Sequence, residues 1–257
     1  MRLGAEPSER GDRPDRVVVE EPLEIRVDGE AIAVTMRTPG NDRELAIGFL
    51  YGEGVITSRD DVGTVTHCGK PGDEGYGNVI DVIAAPGAKL ALDRVEASRR
   101  GTLTTASCGV CGRRTIDDLM QRCQPFARRA DVKLEVVNRA IESLRARQPI
   151  FAATGGLHAA AVCDGKGDAL VVHEDIGRHN AVDKVVGALV LDGRLPVADA
   201  MLVVSGRASF EMVQKAVVAR IGVIVSVSAV SSLAIDLAAK MNAVLVGFAR
   251  EGRATAY

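Results

Sequence analysis

The chain has 257 residues, 47% of them hydrophobic, which is enough for a sizeable core in one large domain or two smaller ones. A formal net charge of -2, 3% aromatic residues and no Trp argue against a general nucleic-acid partner and against base-stacking platforms. The longest apolar stretch is about half of the ~20 residues that a membrane-spanning helix needs, so no membrane partner is expected.

The first 16 residues are polar and contain no apolar segment after their basic start. We therefore expect a disordered tail rather than a signal peptide, and a cytoplasmic protein. The five cysteines of such a protein should be mostly free thiols. Cys68, Cys123 and Cys163 are expected to be structural, with Cys163 buried at the end of an apolar strand.

The first half of the chain is predicted to be mixed β structure with one helix. Two segments with strand period, 23–27 and 31–36, flank Asp28-Gly29, a pair that favours the tight turn of a hairpin. Further strands are predicted at 62–65 and 79–83.

A helix is predicted between these strand pairs, after a loop at Thr38-Pro39-Gly40. Asp42 is placed to cap it. Its apolar face is formed by Leu45, Ala46, Phe49 and Leu50.

Residues 97–115 are small, polar and basic without a helical or strand period, which indicates a mobile loop. The loop contains Cys108 and Cys111 in a Cys-x-x-Cys arrangement. Arg113, Arg114 and the N-terminus of a short helix predicted from residue 116 would favour the thiolate, the form that attacks sulfur. Two thiols at this spacing can also exchange sulfur or close a disulfide.

Three other interpretations of the cysteine pair remain open from spacing alone. Structural zinc needs four ligands, and no second Cys-x-x-Cys is present. A thioredoxin-like pair normally follows a strand and starts a helix, whereas this pair lies in a long loop. The third alternative is a loop without chemistry.

The second half alternates strands and helices, which predicts a parallel or mixed sheet with helices on its faces. A first helix is predicted with Asn138 as its cap. The predicted strands are residues 157–162, 169–172, 201–204, 223–227 and 243–248. The predicted later helices are residues 180–191, 209–220 and 231–241.

Two strand-to-helix junctions in this half carry groups that suit an anion. Arg178 and His179 lie beside the start of one helix, where Asp183, one turn further on, could hold the His179 ring. The alternative is a capped helix with solvated charges. The next junction carries Ser205, Gly206 and Arg207 and has Ser209 as its N-cap candidate.

Arginines also follow the last predicted strand. Arg250 and Arg253 flank Glu251-Gly252, and two guanidinium groups could grip a pyrophosphate. The alternative is a frayed, basic C-terminus. Three anion-suited segments at strand ends in one half of the chain favour a phosphorylated ligand.

Several strings of the sequence resemble the FdhD family, the formate dehydrogenase accessory sulfurtransferases. They occur in order over nearly the whole chain after the tail. They are TPG with ELAIGFL and EG (residues 38–54), CGVCG (108–112), FAATGGLH (151–158), EDIGRHNAVDK (174–184), SGRASFE (205–211) and the segment 248–257.

The resemblance implies a role in which sulfur from a cysteine desulfurase is delivered to the bis-molybdopterin guanine dinucleotide molybdenum cofactor before the cofactor enters formate dehydrogenase. The cofactor would be bound as cargo, and a guanine nucleotide would be a partial mimic of it. Cys108 would carry the persulfide, with Cys111 as its partner. The segment that the family assigns to cofactor binding matches Phe248, Ala249, Arg250, Glu251, Gly252 and Arg253.

The resemblance also implies a homodimer and a cytidine-deaminase-like fold. The expected fold class is therefore α/β, with a mixed α+β N-terminal part and a three-layer sheet with helices on both faces. A zinc deaminase needs H-x-E followed downstream by P-C-x-x-C. His173 and Glu174 are adjacent and the Cys-x-x-Cys lies upstream, so no catalytic zinc site is expected.

The expected organisation is a tail at 1–16, an N-terminal region at 17–135 that includes the loop 97–115, and a deaminase-like domain at 136–257. Two functions other than sulfur transfer are open. One is a chaperone that binds the molybdenum cofactor without moving sulfur, which a Cys108→Ala variant would separate from a sulfur carrier. The other is a metal protein, which elemental analysis would detect.

Overall fold

The computed structural model describes residues 15–73, 75–93, 119–120 and 123–257. Within them the chain forms two β-sheets and six α-helices. The strands are β1 (Glu21–Val27), β2 (Glu30–Arg37), β3 (Val62–His67), β4 (Val79–Ala84), β5 (His158–Cys163), β6 (Ala169–Asp175), β7 (Met201–Val204), β8 (Val223–Ser226), β9 (Val244–Arg250) and β10 (Arg253–Ala256). The helices are α1 (Asp42–Glu53), α2 (Leu134–Arg145), α3 (Pro149–Thr154), α4 (Arg178–Leu191), α5 (Phe210–Val218) and α6 (Ser232–Lys240).

The smaller sheet has the strand order β2-β1-β4-β3. β1 runs antiparallel to β2 and parallel to β4, and β3 runs antiparallel to β4. The predicted hairpin is confirmed: Asp28 and Gly29 have φ values of 49° and 83°, as its tight turn requires. The other two strands predicted in this half are also present.

The larger sheet has the order β10-β9-β8-β7-β5-β6. Its centre, β7 to β9, is parallel, while β5 and β6 on one side and β10 on the other are antiparallel to their neighbours. The prediction of a mixed sheet alternating with helices is confirmed.

Helices cover both faces of the larger sheet. Because successive residues of a strand point to opposite faces, Ala160 and Leu202 pack in one core with α4, α5 and α6, whereas Ala161 and Val203 pack in another core with α2. The first core continues through α1 into the smaller sheet, where it includes Ile25. This arrangement confirms the α/β class with helices on both faces.

Helices α1 and α4 meet backbone to backbone and connect the two sheets. A Cβ atom on Gly48 would lie 1.9 Å from the carbonyl oxygen of Asp183, and one on Gly187 would lie 1.8 Å from that of Glu44. No side chain fits at either glycine, so this contact requires glycine on both helices.

Some element ends differ from the sequence prediction. The N-cap of α1 is Asn41, and Asp42 is the first helical residue. Helix α2 begins at Leu134, so Asn138 lies inside it rather than at its cap. Helix α3 and strand β10 were not predicted: α3 has six residues and its first amides bind the distant Glu174, and β10 is a four-residue strand that pairs with β9 in a hairpin.

The strands of the two sheets fall on either side of the predicted division between 17–135 and 136–257. Whether these regions are separate domains stays a prediction. In the part of the chain that the structure describes, no helix combines the length and the apolar character needed to cross a membrane.

Candidate functional site

One edge of the larger sheet gathers the predicted anion-binding segments. β7, β8 and β9 are parallel and in register, with Val204 beside Ser226 and Val225 beside Val246. The residues that follow these strands therefore leave the sheet at the same edge. β7 and β9 are two strand spacings apart, about 10 Å across the sheet, and β9 continues along its own direction to Arg250, past the residues aligned with the end of β7.

The N-terminal turns of α4 and α5 meet at this edge. His179 on α4 and Glu211 on α5 are joined by an ion-pair contact in which Nε2 lies 2.5 Å from Oε2. The hydrogen bond with His179 is the main reason that the pKa of Glu211 is lowered. Glu211 therefore holds the imidazole beside the two positive helix ends.

A second histidine lies next to the same junctions. His158 starts β5, and its antiparallel partner strand β7 leads into Gly206. A Cβ atom on Gly206 would lie 3.2 Å from Nδ1 of His158 and 3.9 Å from Cβ of Arg178. The imidazole and the Arg178 side chain thus both pack against this glycine.

The electrostatic field at this edge is positive. The pKa of His158 is lowered, first by burial and then by the charges of Arg178, His179 and Arg207, while Asp175 opposes the shift. Three separate cationic side chains therefore act on one imidazole. We call Arg178, His179, Arg207 and His158 the cationic edge.

Three buried side-chain atoms in this region have no hydrogen bond of regular geometry to a described residue: Nε of Arg178, Oγ of Ser209, and Nε2 of His179, which has the ion-pair contact with Glu211. Ser209 is the N-cap of α5, as predicted, but its side chain makes no capping bond. An unpaired buried donor costs about 1–3 kcal/mol. An anion between the two helix ends would supply the missing acceptor.

The loop that carries Arg207 is held in place by the loop after β8. Oγ of Ser226 donates a hydrogen bond to the Gly206 carbonyl at 2.8 Å, and the Ala208 amide donates to Ala229 O at 3.0 Å. On the other side, the Ala159 amide donates to Oγ of Ser205 at 2.9 Å. The exposed Arg207 therefore extends from a fixed backbone.

The segment 248–253 forms a hairpin rather than a frayed end. β9 continues to Arg250, the chain turns at Glu251 and Gly252, and Arg253 starts β10 directly opposite Arg250. Residues opposite each other on antiparallel strands share a face, so the two exposed guanidinium groups lie side by side. Neither is in an ion pair with a described residue.

Two other residues of this hairpin differ in what they offer a ligand. Phe248 is 44% exposed and has a φ of 52°, a strained value for an aromatic residue. Ala249 is buried, so only its backbone is available. The binding role of the segment 248–253 stays a prediction.

Half of the EDIGRHNAVDK string has a structural role instead of an anion-binding one. Asp175 and Lys184 are at most 1% exposed, and Nζ lies 2.7 Å from Oδ2. Lys184 also donates to Thr38 O at 3.0 Å, and Asn180 donates to Met36 O at 2.8 Å. These groups attach the start of α4 to the loop before α1, so the alternative of solvated charges is wrong for them.

The predicted partnership between Asp183 and His179 is also wrong. Asp183 is 3% exposed and turns away to Lys215 of α5, with Oδ1 2.6 Å from Nζ. Burial lowers the pKa of Lys215, but the carboxylates of Asp183, Glu53 and Glu211 together raise it. His179 is held by Glu211 instead.

Cys108 and Cys111, with the rest of the loop 97–115, lie outside the described residues. Cys163 is fully buried, as predicted, whereas Cys68 and Cys123 are half-buried. Among the residues that are described, no group of three or more His, Cys, Asp or Glu side chains is placed to hold a metal ion.

The structure thus brings together the predicted residues Arg178, His179, Gly206 and Arg207, and places the hairpin 248–253 along the same edge. It adds two residues that the sequence analysis did not assign. His158 was part of a family-like string without a role, and Glu211 is 32 positions from its partner, so no local pattern indicated the pairing.

Comparisons with known proteins agree over almost the whole chain. The model of the FdhD/NarQ family matches residues 18–257. A protein named sulfur carrier protein FdhD, from Anaeromyxobacter dehalogenans, is 52% identical over 249 residues, 95% of this chain and 86% of that protein. A protein of the same name from Mycolicibacterium paratuberculosis is 48% identical over 250 residues, 95% of this chain and 90% of that one.

A solved structure supports the same assignment. The crystal structure of a candidate formate dehydrogenase accessory protein from Desulfotalea psychrophila superposes with a TM-score of 0.73 at 25% identity, covering 98% of this chain and 92% of that one. Sequence and fold lead to one conclusion: the chain belongs to the FdhD/NarQ family.

Proposed function

We propose that this protein is a sulfur carrier that takes sulfur from a cysteine desulfurase as a persulfide on Cys108. It then delivers the sulfur to the bis-molybdopterin guanine dinucleotide cofactor destined for a formate dehydrogenase. Relatives up to 52% identical are named sulfur carrier protein FdhD, which supports the sulfur half of the proposal. The name of the solved neighbour supports the dehydrogenase as the client.

The main observation in favour of cofactor binding, the ligand half of the proposal, is the cationic edge. Two helix N-termini, three cationic side chains and three buried side-chain atoms without a regular hydrogen bond to a described residue lie at one end of the sheet. The paired Arg250 and Arg253 extend from the same edge, two strand spacings across the sheet and a few residues further along β9. A pyrophosphate-linked nucleotide has the charge and the length to use both.

The exposed ring of Phe248 suits the remaining part of such a ligand. Its strained backbone places an aromatic face at the base of the arginine hairpin. Stacking of a base on an aromatic side chain contributes about 1–3 kcal/mol. We therefore assign the guanine to Phe248 and the phosphates to the arginines.

The sulfur step follows thiol–persulfide exchange. The Cys108 thiolate attacks the outer sulfur of the desulfurase persulfide, the S–S bond of that persulfide breaks, and the desulfurase thiolate leaves. Arg113 and Arg114, close in sequence, favour the attacking thiolate. Delivery of the outer sulfur as a sulfido ligand takes two electrons, which Cys111 supplies: its thiolate attacks the inner sulfur of the Cys108 persulfide, the persulfide S–S bond breaks, a Cys108–Cys111 disulfide forms, and the outer sulfur leaves as sulfide for molybdenum.

Mass spectrometry tests the sulfur half. After incubation with a cysteine desulfurase and cysteine, the peptide that contains Cys108 should gain one sulfur atom, and Cys108→Ala should not. A Cys68→Ala variant, which removes a half-buried thiol outside the pair, is the control and should load normally. A wild-type peptide that stays unmodified would reject the proposal.

The same variants separate a carrier from a chaperone. A carrier with Cys108→Ala should fail to activate formate dehydrogenase in a strain that lacks the native protein. A chaperone that binds the cofactor without moving sulfur should keep most of the activation.

Calorimetric titration with guanosine diphosphate tests the ligand half. Arg207→Ala and Arg253→Ala should each weaken binding about tenfold or more, since each removes a charge-assisted contact to phosphate. Arg139→Ala is the matched control: this exposed arginine on α2 is paired with Asp168 on the other face of the sheet. Equal affinities for all three variants would contradict the assignment.

A further inference from the structure

His158 occupies an unusual position among the groups of the cationic edge. It pairs in the sheet with Asp175 on one side, and its ring packs against Gly206 on the other. Gly206 has no side chain to separate the ring from Arg178. The imidazole is therefore held inside a group of cations by the backbone of the sheet.

The charged groups that act on His158 come from each element around it. They are Arg178 and His179 of α4, Arg207 of the loop before α5, and Asp175 at the end of β6. Asp175 is already neutralised by Lys184 at 2.7 Å, so the cations dominate. Burial, followed by these cations, lowers the pKa of His158 below its usual 6.5, which leaves the ring neutral in the free protein near pH 7.

We propose that His158 is a further anion-binding residue of the cationic edge and that it takes up a proton when the anion binds. This inference rests on the proposed function, since it requires a phosphate group at this edge. The bound phosphate offsets the field of the three cations and accepts a hydrogen bond from the imidazolium. The proton comes from the buffer.

The sign of the pH effect follows from linkage. A pKa that is low in the free protein and higher in the complex means that the complex binds more protons. The affinity for the anion is then constant at pH values below the pKa of His158 in the free protein. It falls as pH rises from that pKa to the higher pKa in the complex. Within that window the fall approaches about tenfold per pH unit for uptake of one full proton.

Calorimetry with guanosine diphosphate measures this uptake directly. Titrations at one pH in two buffers with different ionisation enthalpies should give different heats, and the difference gives the number of protons taken up. His158→Gln should bind the nucleotide with less than half of the wild-type uptake. The ligand's own protonation is common to both proteins and cancels in the comparison.

A second histidine provides the matched control. His173 is also half-buried, and burial likewise lowers its pKa, but its charged neighbours are Glu44 and Lys184 rather than three cations. His173→Gln should therefore keep the wild-type uptake. If His158→Gln keeps it as well, the proton goes elsewhere and the inference is overturned.

The other outcomes distinguish the two proposals. Absence of any nucleotide binding by the wild-type protein would overturn this inference together with the ligand half of the proposed function. Binding with identical heats in the two buffers across the window would overturn the role of His158 and leave the proposed function intact.

An NMR titration of the wild-type protein tests the inference without a His158 variant, so the result does not depend on whether such a variant folds. The chain has four histidines, so their ring signals can be followed individually. The midpoint of the His158 signal should rise when the nucleotide is added, and a fixed midpoint in the presence of bound nucleotide would contradict the inference.

Discussion

Nε2 of His179 lies 2.5 Å from Oε2 of Glu211, and this contact joins the N-terminal turns of α4 and α5. Both helix ends are positive, so a carboxylate between them is favourable in itself. The Glu211 carboxylate also determines which side of the His179 ring is left for a ligand. Glu211 therefore acts as a positioning residue for the cationic edge.

The loss of stability caused by replacing Glu211 should depend on pH. The pKa of Glu211 is lowered, chiefly by its hydrogen bond with His179, so its contribution to stability is present above the usual value of about 4.5 and is lost as pH falls through the lowered value. Glu211→Gln should reduce the free energy of unfolding near pH 7 by less than about 1 kcal/mol, because the pair is partly exposed.

Urea unfolding at several pH values checks this prediction. The wild type and Glu211→Gln should become equally stable once the pH is below the lowered pKa. Glu20→Gln, an exposed substitution outside the helices, should show no such convergence. A constant difference between wild type and Glu211→Gln at all pH values would mean that the loss is not electrostatic.

The buried pair of Asp175 and Lys184 should be much more costly to break. Lys184 donates to Oδ2 of Asp175 and to Thr38 O, and a lone Asp175 would keep a charge that is 0% exposed. Lys184→Met should lower the free energy of unfolding by about 3–5 kcal/mol. Lys166→Met, at an exposed turn, should change it by less than about 0.5 kcal/mol.

Some features of this fold depend only on neighbouring residues and could be predicted from the sequence. Local chemistry could predict the Asp28-Gly29 hairpin, because a two-residue turn depends on its own φ values. It could also place Arg207 at a strand end, since a strand followed by Ser-Gly-Arg and a helix is a local signal. These features needed no knowledge of distant contacts.

The burial of Asp175, Asp183 and Lys184 could not be predicted in this way. On a single helix such charges look solvated, and α4 becomes enclosed only because α1 packs on the side away from the larger sheet. The partner of Asp183 lies 32 residues away on α5. Pairs of side chains from different helices or strands produce no periodic pattern in the sequence, so they cannot be predicted from it.

The backbone contact between α1 and α4 gives a steric prediction. Gly187→Ala would place a methyl group 1.8 Å from Glu44 O, which the helices can relieve only by moving apart. The loss of stability should be about 3 kcal/mol or more, at the upper end of overpacking effects. Thermal unfolding monitored by circular dichroism measures it.

Gly52→Ala on α1 is the matched control for that substitution. The new methyl group would lie 3.2 Å from Nζ of Lys215, which must move by only a few tenths of an ångström, and alanine favours the helix by about 1 kcal/mol. It should be far less damaging than Gly187→Ala. Equal losses for the two variants would show that the helices do not meet as closely as described.

The thiol of Cys163 should not react with alkylating reagents in the folded protein. Burial, with a smaller contribution from the nearby Asp164, raises the pKa of its thiol to about 12, so almost no thiolate forms at pH 8. With iodoacetamide followed by mass spectrometry, Cys163 should be modified only after denaturant is added, while the half-buried Cys68 should react in the native state. Because sulfur exchange requires a thiolate, native labelling of Cys163 at the rate of Cys68 would show that this strand opens readily, and would add a third thiol to the candidates for persulfide formation.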